Sequence, residues 1–502
     1  MDTALKHQEI DATLESYFDQ IRKHVIGYDQ TFDGPFGPKK IIYADWTASG
    51  RLYEPIESLI SREIGPFVAN THTETTFTGT SMTKAYHKAK EHIKEHVGAH
   101  HSDILISSNS GMTGVVNKFQ RILGLKVHER FRDQIKLEDR DIPVIFVSHM
   151  EHHSNQTSWL ETISHVEVIK PLENGLMDLE HLRELLEVYR YKKTKIAAIT
   201  SCSNVTGIKT PYHEVARIMH ENDGYCFVDF ACSAPYIDIN MRPEDPKEHL
   251  DAFYFSPHKF LGGPGSSGIL IFDPKLYKNR IPDNPGGGTV KFTNPWGEHI
   301  YLDEIEARED GGTPGFLQTI KVALSLKLKE EMSTNRILKR EQEILERIWP
   351  VFDSIPNLHI MANNHRNRLG VISFTIEDLH FNLGVQLLND KYGIQTRGGC
   401  SCAGTYGHYL LHLDKSMSSS IRDEININNL KARPGWIRMS IHPVMTNEEI
   451  DHICQAIKEV AENHQEWAND YIYDKKTNEF THKNAANNTD RLVNTWFDKS
   501  LI

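Results

Sequence analysis

Residues 256–268 read Ser-Pro-His-Lys-Phe-Leu-Gly-Gly-Pro-Gly-Ser-Ser-Gly, and apolar runs lie directly before and after them. Lys259 therefore follows a predicted buried strand and precedes a glycine-rich loop, where the backbone can pass close to a ligand. A lysine at the end of a strand is commonly exposed to solvent. If it is buried instead, its amine loses its proton more readily and becomes available for Schiff-base formation. The segment thus predicts a candidate reactive lysine at the end of a strand.

Short apolar runs alternate with helical patterns between about residues 100 and 275. The runs lack strict polar–apolar alternation, which is typical of strands buried on both faces. The clearest helical pattern is Pro211–Asn222, which Thr210 can cap and Pro211 can open as the first helical residue. The alternation predicts an α/β fold with a largely parallel sheet. The predicted strands are Ile104–Ser107, Pro143–Ser148, Ile196–Thr200, Tyr225–Phe230, Ala252–Ser256 and Gly268–Phe272.

The pattern changes after about residue 315. A long helical pattern covers Ile320–Trp349, strands are predicted at Val371–Thr375 and Gly435–Ile441, and Glu448–Trp467 is helical again. Gly/Pro-rich segments punctuate the junction. We therefore expect a large domain over residues 36–315 and a smaller α+β domain over 316–502, with residues 1–35 packing as a helical segment against the smaller one.

Composition excludes several classes of protein. The 502 residues carry a formal net charge of −12, which argues against a general nucleic-acid binder. No apolar run is long enough to predict a membrane span, and the N-terminus has no signal-peptide pattern. Six cysteines in this length are too few for a disulfide scaffold, so reduced thiols in a cytoplasmic protein are expected.

Two further segments end predicted strands with polar residues. Asp229 closes an apolar strand, either as a turn cap or as a carboxylate that pairs with the pyridinium nitrogen of pyridoxal 5′-phosphate (PLP) and keeps its ring an electron sink. Ser107–Gly114 joins a strand to a helix through small residues, which leaves backbone N–H groups free for a phosphate. No Walker lysine follows, so a nucleotide P-loop is not expected. Since Asp229 and Lys259 are separated by one crossover, both are predicted at the ligand-binding edge of the sheet.

Histidines, cysteines and an arginine complete the candidate residues. The cluster His149-Met-Glu151-His152-His153 lacks the partners of a zinc site, so either a ring stacked on a cofactor or a solvated loop is predicted. The loop Arg397-Gly-Gly-Cys400-Ser-Cys402 flanks its thiols with glycine, which predicts mobile and exposed cysteines, and exposure favours thiol reactivity. A Cys-x-Cys metal or redox pair is the alternative, and no residue is assigned to a metal. Arg438 interrupts an apolar strand, which predicts a carboxylate partner from the protein or from a substrate.

Taken in order, these segments resemble the class V aminotransferase family of fold-type I PLP enzymes, and within it the cysteine desulfurase and selenocysteine lyase group most closely. The resemblance runs from about Tyr43 to Ala461, most of the chain. It implies a large domain with a mainly parallel seven-stranded sheet and a smaller α+β C-terminal domain. The other segments that carry it are Tyr43–Ser49, Asn70-Thr-His72, Ser203–Gly207, Gly286–Thr289 and Gly312-Thr-Pro314.

The resemblance also implies a role for each matching residue. Lys259 would hold PLP as a Schiff base and shuttle protons, Asp229 would bind the pyridine nitrogen, and His152 would stack on the ring. Cys402 would accept sulfur as a persulfide, with Cys400 as a substitute or resolving thiol. The phosphate would be bound by Ser110, Gly111, Met112, Ser256 and His258, and by Thr289 of a neighbouring subunit in a homodimer. Asn204 is implied in cofactor binding and, with Arg438, His72 and Asn70, in substrate binding.

Three functions follow as hypotheses from these residues. The first removes sulfur or selenium from L-cysteine or L-selenocysteine to give alanine, with a possible sulfur-acceptor protein as partner. The second is another class V reaction on an amino acid, such as transamination, epimerisation or lyase chemistry, and the third is a non-catalytic PLP-binding relative. The chain departs from the desulfurase pattern at Cys232, where that group has a glutamine that hydrogen-bonds the cofactor, and in an insertion over about Leu411–Pro434.

Overall fold

The computed structural model describes residues 13–71, 74–486 and 488–502. Its helices are α1 (Leu14–Arg22), α2 (Glu54–Ser58), α3 (Phe77–His96), α4 (Gly111–Ile122), α5 (Glu129–Arg132), α6 (His153–Leu160), α7 (Leu179–Val188), α8 (Tyr212–His220), α9 (Ile305–Glu309), α10 (Phe316–Met332), α11 (Thr334–Asp353), α12 (Phe381–Tyr392), α13 (Gly404–Leu410), α14 (Lys415–Asn426), α15 (Asn447–Trp467) and α16 (Asn488–Phe497). None of the helices in these ranges is long and apolar enough to cross a membrane.

The strands form one large sheet and several smaller ones. They are β1 (Thr31–Gly34), β2 (Gly37–Lys40), β3 (Ile42–Tyr43), β4 (Ile104–Ser108), β5 (Val144–Ser148), β6 (His165–Ile169), β7 (Lys195–Thr200), β8 (Tyr225–Asp229), β9 (Ala252–Phe255), β10 (Gly268–Phe272), β11 (Val290–Thr293), β12 (His299–Tyr301), β13 (Leu358–Ile360), β14 (Val371–Ile376), β15 (Ile394–Gln395), β16 (Arg397–Gly399), β17 (Trp436–Ser440), β18 (Tyr471–Asp474) and β19 (Glu479–His482).

The central sheet has seven strands in the order β4-β10-β9-β8-β7-β5-β6. Strand β10 is antiparallel to both neighbours, and all other pairs are parallel. Neighbouring residues of one strand enter opposite apolar clusters: Ile199 and Val228 lie in one, Ala198 and Phe227 in the other. The sheet is therefore buried on both faces, and the predicted mainly parallel α/β fold is confirmed.

One strand of this sheet, β6, was not predicted from the sequence. It pairs only with β5 and lies at the edge of the sheet. Its sequence, His-Val-Glu-Val-Ile, alternates polar and apolar residues because an edge strand is only partly covered.

Two details of the predicted helices were wrong. Thr210 does not cap α8, because its hydroxyl donates to the carbonyl of Thr200, and Pro211 takes the capping position instead of the first helical one. The pattern over Ile320–Trp349 forms two helices, because the backbone at Ser333 has a φ of 65° that no helix can continue through.

A second, antiparallel sheet has the order β13-β14-β17-β16. Helices α11, α12 and α15 share its apolar cluster, and Phe18 of α1 lies in the same cluster. The backbone N–H of Asn447 donates to Glu15 of α1. These contacts support the division at residues 35 and 315, which stays a prediction. The insertion forms α14, and the last residues form the hairpin β18–β19 and α16.

Candidate active site

One cavity opens at the carboxyl edge of the central sheet, where β5, β7, β8 and β9 end. Parallel strands bring their carboxyl ends to one edge, so residues far apart in sequence meet there. We call this the cofactor cavity. The residues singled out from the sequence that line it are Ser110, Gly111, Met112, His152, Asn204, Asp229, Cys232, Ser256, His258, Lys259, Cys402 and Arg438.

Lys259 lies in a short 3₁₀ turn, Pro257–Lys259, directly after β9. The turn redirects the chain from the strand end, and the lysine side chain reaches the cofactor cavity. Burial lowers the pKa of the Lys259 amine, and the charges of Cys232 and Asp229 oppose that shift. Lys259 is half-buried, so the alternative of an exposed surface lysine is wrong, and its amine loses its proton more readily than that of an exposed lysine.

Asp229 ends β8, and its carboxylate is buried. One oxygen accepts a hydrogen bond of 2.7 Å from the N–H of Ala231, so the side chain also caps a turn. It forms no ion pair within the described residues. Burial raises the pKa of Asp229 to about 6. A buried carboxyl that lines a cavity and has no ion-pair partner can accept a protonated ligand nitrogen.

His152 caps α6 and faces the same cavity. Its Nδ1 accepts from the N–H of Ser154 at 3.1 Å, so the neutral ring carries its proton on Nε2. Burial lowers the pKa of His152 to about 3, with the charge of Lys259 adding to the effect. A neutral aromatic ring at the cavity wall can stack on a flat ligand. The alternative of a solvated loop is wrong for this segment, since His149 and Glu151 are buried and His152 and His153 are half-buried.

Glu151 is a site residue whose specific role the sequence pattern did not reveal. Its carboxyl accepts from Ser148, Asn155 and the N–H of Thr200, which joins the ends of β5 and β7. Burial raises the pKa of Glu151 to about 8. The residue positions the strand ends that form the cavity wall.

The N-terminus of α4 faces the cavity beside Ser256 and His258. Gly111 has a φ of 60°, which favours glycine, and the N–H of Met112 donates to Ser256 Oγ at 2.9 Å. The remaining N–H groups of a first helical turn have no partner within the helix. This end of the cavity can therefore bind an anion such as a phosphate.

Arg438 on β17 and Asn204 line the same cavity and contact each other. Arg438 donates to Asp45 at 2.6 Å and to the carbonyl of Asn204 at 3.1 Å. A protein carboxylate thus holds one side of the guanidinium, while its Nε has no hydrogen-bond partner within the described residues. The buried Oδ1 of Asn204 likewise has no partner there. Both groups retain capacity for a ligand.

The cysteine loop, residues 397–404, is attached to the cavity wall at several points. The N–H of His153 donates to the carbonyl of Cys402 at 2.8 Å, and the N–H of Gly404 donates to His153 Nε2 at 2.9 Å. Asn204 donates to the carbonyl of Ser401 at 2.7 Å. The expectation of glycine-flanked, exposed thiols was wrong in one respect, since both cysteines are half-buried.

The two thiols open on different cavities. Cys402 lines the cofactor cavity together with Arg397. Cys400 lines a second cavity, which we call the insertion cavity and which is formed by α13, α14 and Arg433–Trp436. The Arg433 guanidinium lies 4.0 Å from the Cys400 sulfur.

A sequence profile decides the family. The profile described as "Aminotransferase class-V" matches residues 42–453, most of the chain. The chain belongs to the class V aminotransferase family. The predicted resemblance is thereby confirmed at the level of the family.

Two relatives are similar to this member of the class V aminotransferase family over nearly their whole length. A probable cysteine desulfurase of Staphylococcus epidermidis is 26% identical over 428 residues, which are 84% of this chain and 93% of that protein. One from Staphylococcus aureus is 25% identical and covers 86% and 94% of the two chains.

Solved structures show the same fold. The apo structure of a cysteine desulfurase from Thermococcus onnurineus superposes with a TM-score of 0.71 at 21% identity, covering 88% of this chain and 98% of that one. An Escherichia coli cysteine desulfurase in an S-sulfonic acid form gives 0.67 at 19% identity, covering 89% and 98%. These likenesses confirm the predicted fold class.

This member of the class V aminotransferase family has a pair of buried thiols in its cofactor cavity. Cys202 follows β7, and Cys232 follows β8. Their sulfurs lie 3.6 Å and 3.7 Å from the same carbonyl, that of Ser203. Burial raises the pKa of Cys202, and its hydrogen bond to Cys232 lowers the pKa of that partner. Sequence reasoning assigned no role to Cys202, although the residue directly follows the predicted strand Ile196–Thr200, as Asp229 and Lys259 follow or end theirs.

Besides Cys400, two predicted site residues of the described chain, Thr289 and Asn70, lie outside the cofactor cavity. The Thr289 hydroxyl donates to the carbonyl of Gly286 at 2.7 Å within its own turn, and its reach toward a neighbouring subunit stays a prediction. Asn70 does not line the cavity. His72 lies outside the described residues.

Proposed function

We propose that this class V enzyme is a PLP-dependent cysteine desulfurase that gives alanine and leaves sulfur on Cys402. The observation that carries the proposal is that the Lys259 side chain and the Cys402 thiol line one cavity. The staphylococcal relatives, described as probable cysteine desulfurases, support the same activity. L-Selenocysteine is a second substrate of the same chemistry.

The side chains present fit PLP. Asp229 offers a buried carboxylate without an ion-pair partner, His152 a neutral ring, and the N-terminus of α4 with Ser256 and His258 an anion site. The buried Oδ1 of Asn204, which has no hydrogen-bond partner among the described residues, provides an acceptor in the same cavity. When bound through Lys259, PLP withdraws electrons from the α-carbon of an amino acid.

Lys259 and Cys402 divide the work of the reaction between them. The Lys259 amine is positioned to take the α-proton of the substrate on Nζ and to return it later. The Cys402 thiolate attacks the substrate sulfur, a sulfur–sulfur bond forms, and the carbon–sulfur bond breaks. The electron pair of the broken bond stays with the carbon fragment, which takes up a proton and leaves as alanine. The sulfur remains on Cys402 as a persulfide.

Two arginines serve the substrate carboxylate in this proposal. Arg438 has a free Nε beside its contact with Asp45, and Arg397 lies in the same cavity without an ion-pair partner among the described residues. Charge-assisted hydrogen bonds from a guanidinium suit a carboxylate. Binding there holds the substrate between Lys259 and Cys402.

The proposed setting is a cytoplasmic homodimer. In it, Thr289 of one subunit would contact the cofactor phosphate of the other, and a sulfur-acceptor protein would discharge Cys402. A native mass measurement tests the dimer directly, since a monomer at working concentrations contradicts it.

The activity is tested with the purified chain reconstituted with PLP. We expect L-cysteine to yield one alanine per sulfide when dithiothreitol is present, and L-selenocysteine to yield alanine likewise. Amino transfer from a panel of amino acids to pyruvate, with no alanine formed from cysteine alone, would instead establish another class V reaction. A chain that binds PLP and turns over none of these substrates would establish a non-catalytic relative.

A further inference from the structure

Three metal-ligating side chains meet at the edge of the central sheet opposite the cofactor cavity. His220 is the last residue of α8, and His249 and Asp251 lie just before β9. Strand β9 begins at Ala252 and Lys259 follows its other end, so roughly the length of a strand separates the two places. Both histidines are half-buried and Asp251 is buried.

The ligand atoms are already gathered. His220 Nε2 lies 2.9 Å from Asp251 Oδ2, His249 Nε2 lies 3.4 Å from Asp251 Oδ1, and one ligand atom from each residue lies within 4.8 Å of the others. Ligands of tetrahedral Zn²⁺ at about 2.1 Å from the metal are about 3.4 Å apart. Small side-chain rotations therefore bring the three atoms to coordination distance.

Hydrogen bonds from outside the cluster orient each ligand. His220 Nδ1 lies 2.6 Å from the carbonyl of Lys247, and His249 Nδ1 lies 2.6 Å from the carbonyl of Pro246. The N–H of Cys226 donates to Asp251 Oδ2 at 2.8 Å. Such outer contacts are typical around metal-bound histidines and carboxylates, because they fix the tautomer and the ring orientation.

The same contacts leave a proton problem when no cation is present. Each imidazole has acceptors at both nitrogens, a carbonyl at Nδ1 and the Asp251 carboxylate at Nε2. A neutral imidazole has a single N–H and satisfies only one of them. With neutral rings and no cation, one acceptor beside each imidazole is therefore left without a proton, and the two rings stack in parallel with centroids 4.1 Å apart. A metal cation in place of the two Nε2 protons satisfies all contacts with neutral rings.

The surrounding cations already have carboxylate partners. Arg242 pairs with Asp103 and Asp273, and Lys247 pairs with Glu221. Arg217 pairs with Asp245 and Glu248. The Asp251 carboxylate is thus left to the two histidines.

We propose that His220, His249 and Asp251 bind one divalent transition-metal cation, for which Zn²⁺ is the best match, through two imidazole nitrogens and a carboxylate. Borderline cations prefer imidazole, and the half-buried histidines leave a fourth position open to water. The cation joins the end of α8 to the loop before β9. The sequence predicted no metal site because the ligands are 29 and 2 positions apart along the chain.

The test uses the full chain carrying Cys400→Ser and Cys402→Ser, which removes the half-buried thiols that compete for zinc. After exposure to Zn²⁺ and gel filtration, elemental analysis should find one more zinc per chain than in the same protein with His220→Ala and His249→Ala. Zinc should also raise the thermal midpoint of the parent and not of the double variant, because a ligand that binds only the folded state stabilises it.

His213→Ala is the matched control, since His213 lies on the same helix and bonds the carbonyl of Glu248 outside the cluster. It should keep the full zinc content. If the double variant does not fold, His249→Ala alone, on a surface loop, should lower zinc affinity at least tenfold. The proposal is overturned if the parent and the folded variant that lacks His249, with or without His220, bind equal amounts of zinc.

Discussion

The two thiols of the cysteine loop are separated by one residue and lie in different surroundings. Cys402 lines the cofactor cavity with Lys259, Arg397 and Arg438, whereas Cys400 lines the insertion cavity among Leu411, Ile421, Ile425 and Trp436. The backbone explains the difference, because Ser401 and Cys402 both have positive φ values, 50° and 58°, which turn the chain between the two sulfurs. Proximity in sequence therefore does not make the two cysteines equivalent.

The contrast between Cys402 and Cys400 depends first on whether the cavity that Cys402 lines binds PLP through Lys259. Replacing Lys259 with alanine should abolish the visible absorbance of bound PLP and lower alanine formation at least a thousandfold, since it removes both the covalent attachment and the proton carrier. Absorbance spectra and amino-acid analysis measure the two effects. Lys275→Ala, at an exposed lysine beside Asp273, is the control and should change neither. A yellow, active Lys259→Ala protein would remove the basis of the comparison.

The cysteines themselves provide the next largest effect. Cys402→Ser should lower alanine formation from L-cysteine at least a hundredfold, because serine cannot hold sulfur as a persulfide. Cys400→Ser should change the same rate by less than about threefold. Mass spectrometry of protein treated with cysteine in the absence of reductant should find the extra sulfur on residue 402. The reverse ranking of the two variants would mean that the insertion cavity, not the cofactor cavity, holds the reacting thiol.

The sequence predicted the cofactor cavity better than it predicted the insertion cavity, for a physical reason. Lys259, Asp229 and His152 follow buried strands whose ends are forced together by parallel pairing. The strand pattern therefore predicts that these three residues lie close together. The side on which a cysteine lies depends instead on backbone torsions in the loop and on contacts such as His153 to Gly404, which no local pattern encodes.

The sequence pattern also did not predict the edge strand β6, the hydrogen bond of the Thr210 hydroxyl or the partner of Arg438. Strand β6 alternates because it has one neighbour, and the Thr210 hydroxyl bonds a distant strand rather than its own helix. Arg438 was predicted to have a carboxylate partner, but only the fold identifies Asp45 as that partner. Each of these contacts joins segments far apart in the chain, so local propensity does not determine it.

Lowering the pH should weaken PLP binding in the cofactor cavity, because Asp229 lines that cavity and is absent from the insertion cavity. Burial raises the pKa of this carboxyl to about 6 in the folded chain, so it is ionised above that pH and protonated below it. The PLP affinity of wild type should exceed that of Asp229→Asn at pH 7.5, and this advantage should shrink about tenfold by pH 5. Titration of the apoprotein with PLP measures both affinities, and the ratio cancels the titration of the cofactor itself. A ratio that does not change with pH would mean that Asp229 does not face the cofactor.

The smallest expected effect concerns Arg433 in the insertion cavity. Its guanidinium lies 4.0 Å from the Cys400 sulfur and stabilises negative charge there, so Arg433→Gln should slow alkylation of Cys400 by iodoacetamide about two- to threefold. The measurement is made in Cys402→Ser protein, where Cys400 is the one half-buried thiol because the other four cysteines are buried.

Arg422→Gln is the control for this measurement, since Arg422 lines the same cavity and pairs with Asp423 rather than with Cys400. It should leave the alkylation rate unchanged. If both variants slow alkylation equally, the general charge of the insertion governs Cys400, and the contact with Arg433 has no particular role. If only Arg433→Gln slows it, the insertion contributes a specific cation to one side of the cysteine loop, as Arg397 does for the other side.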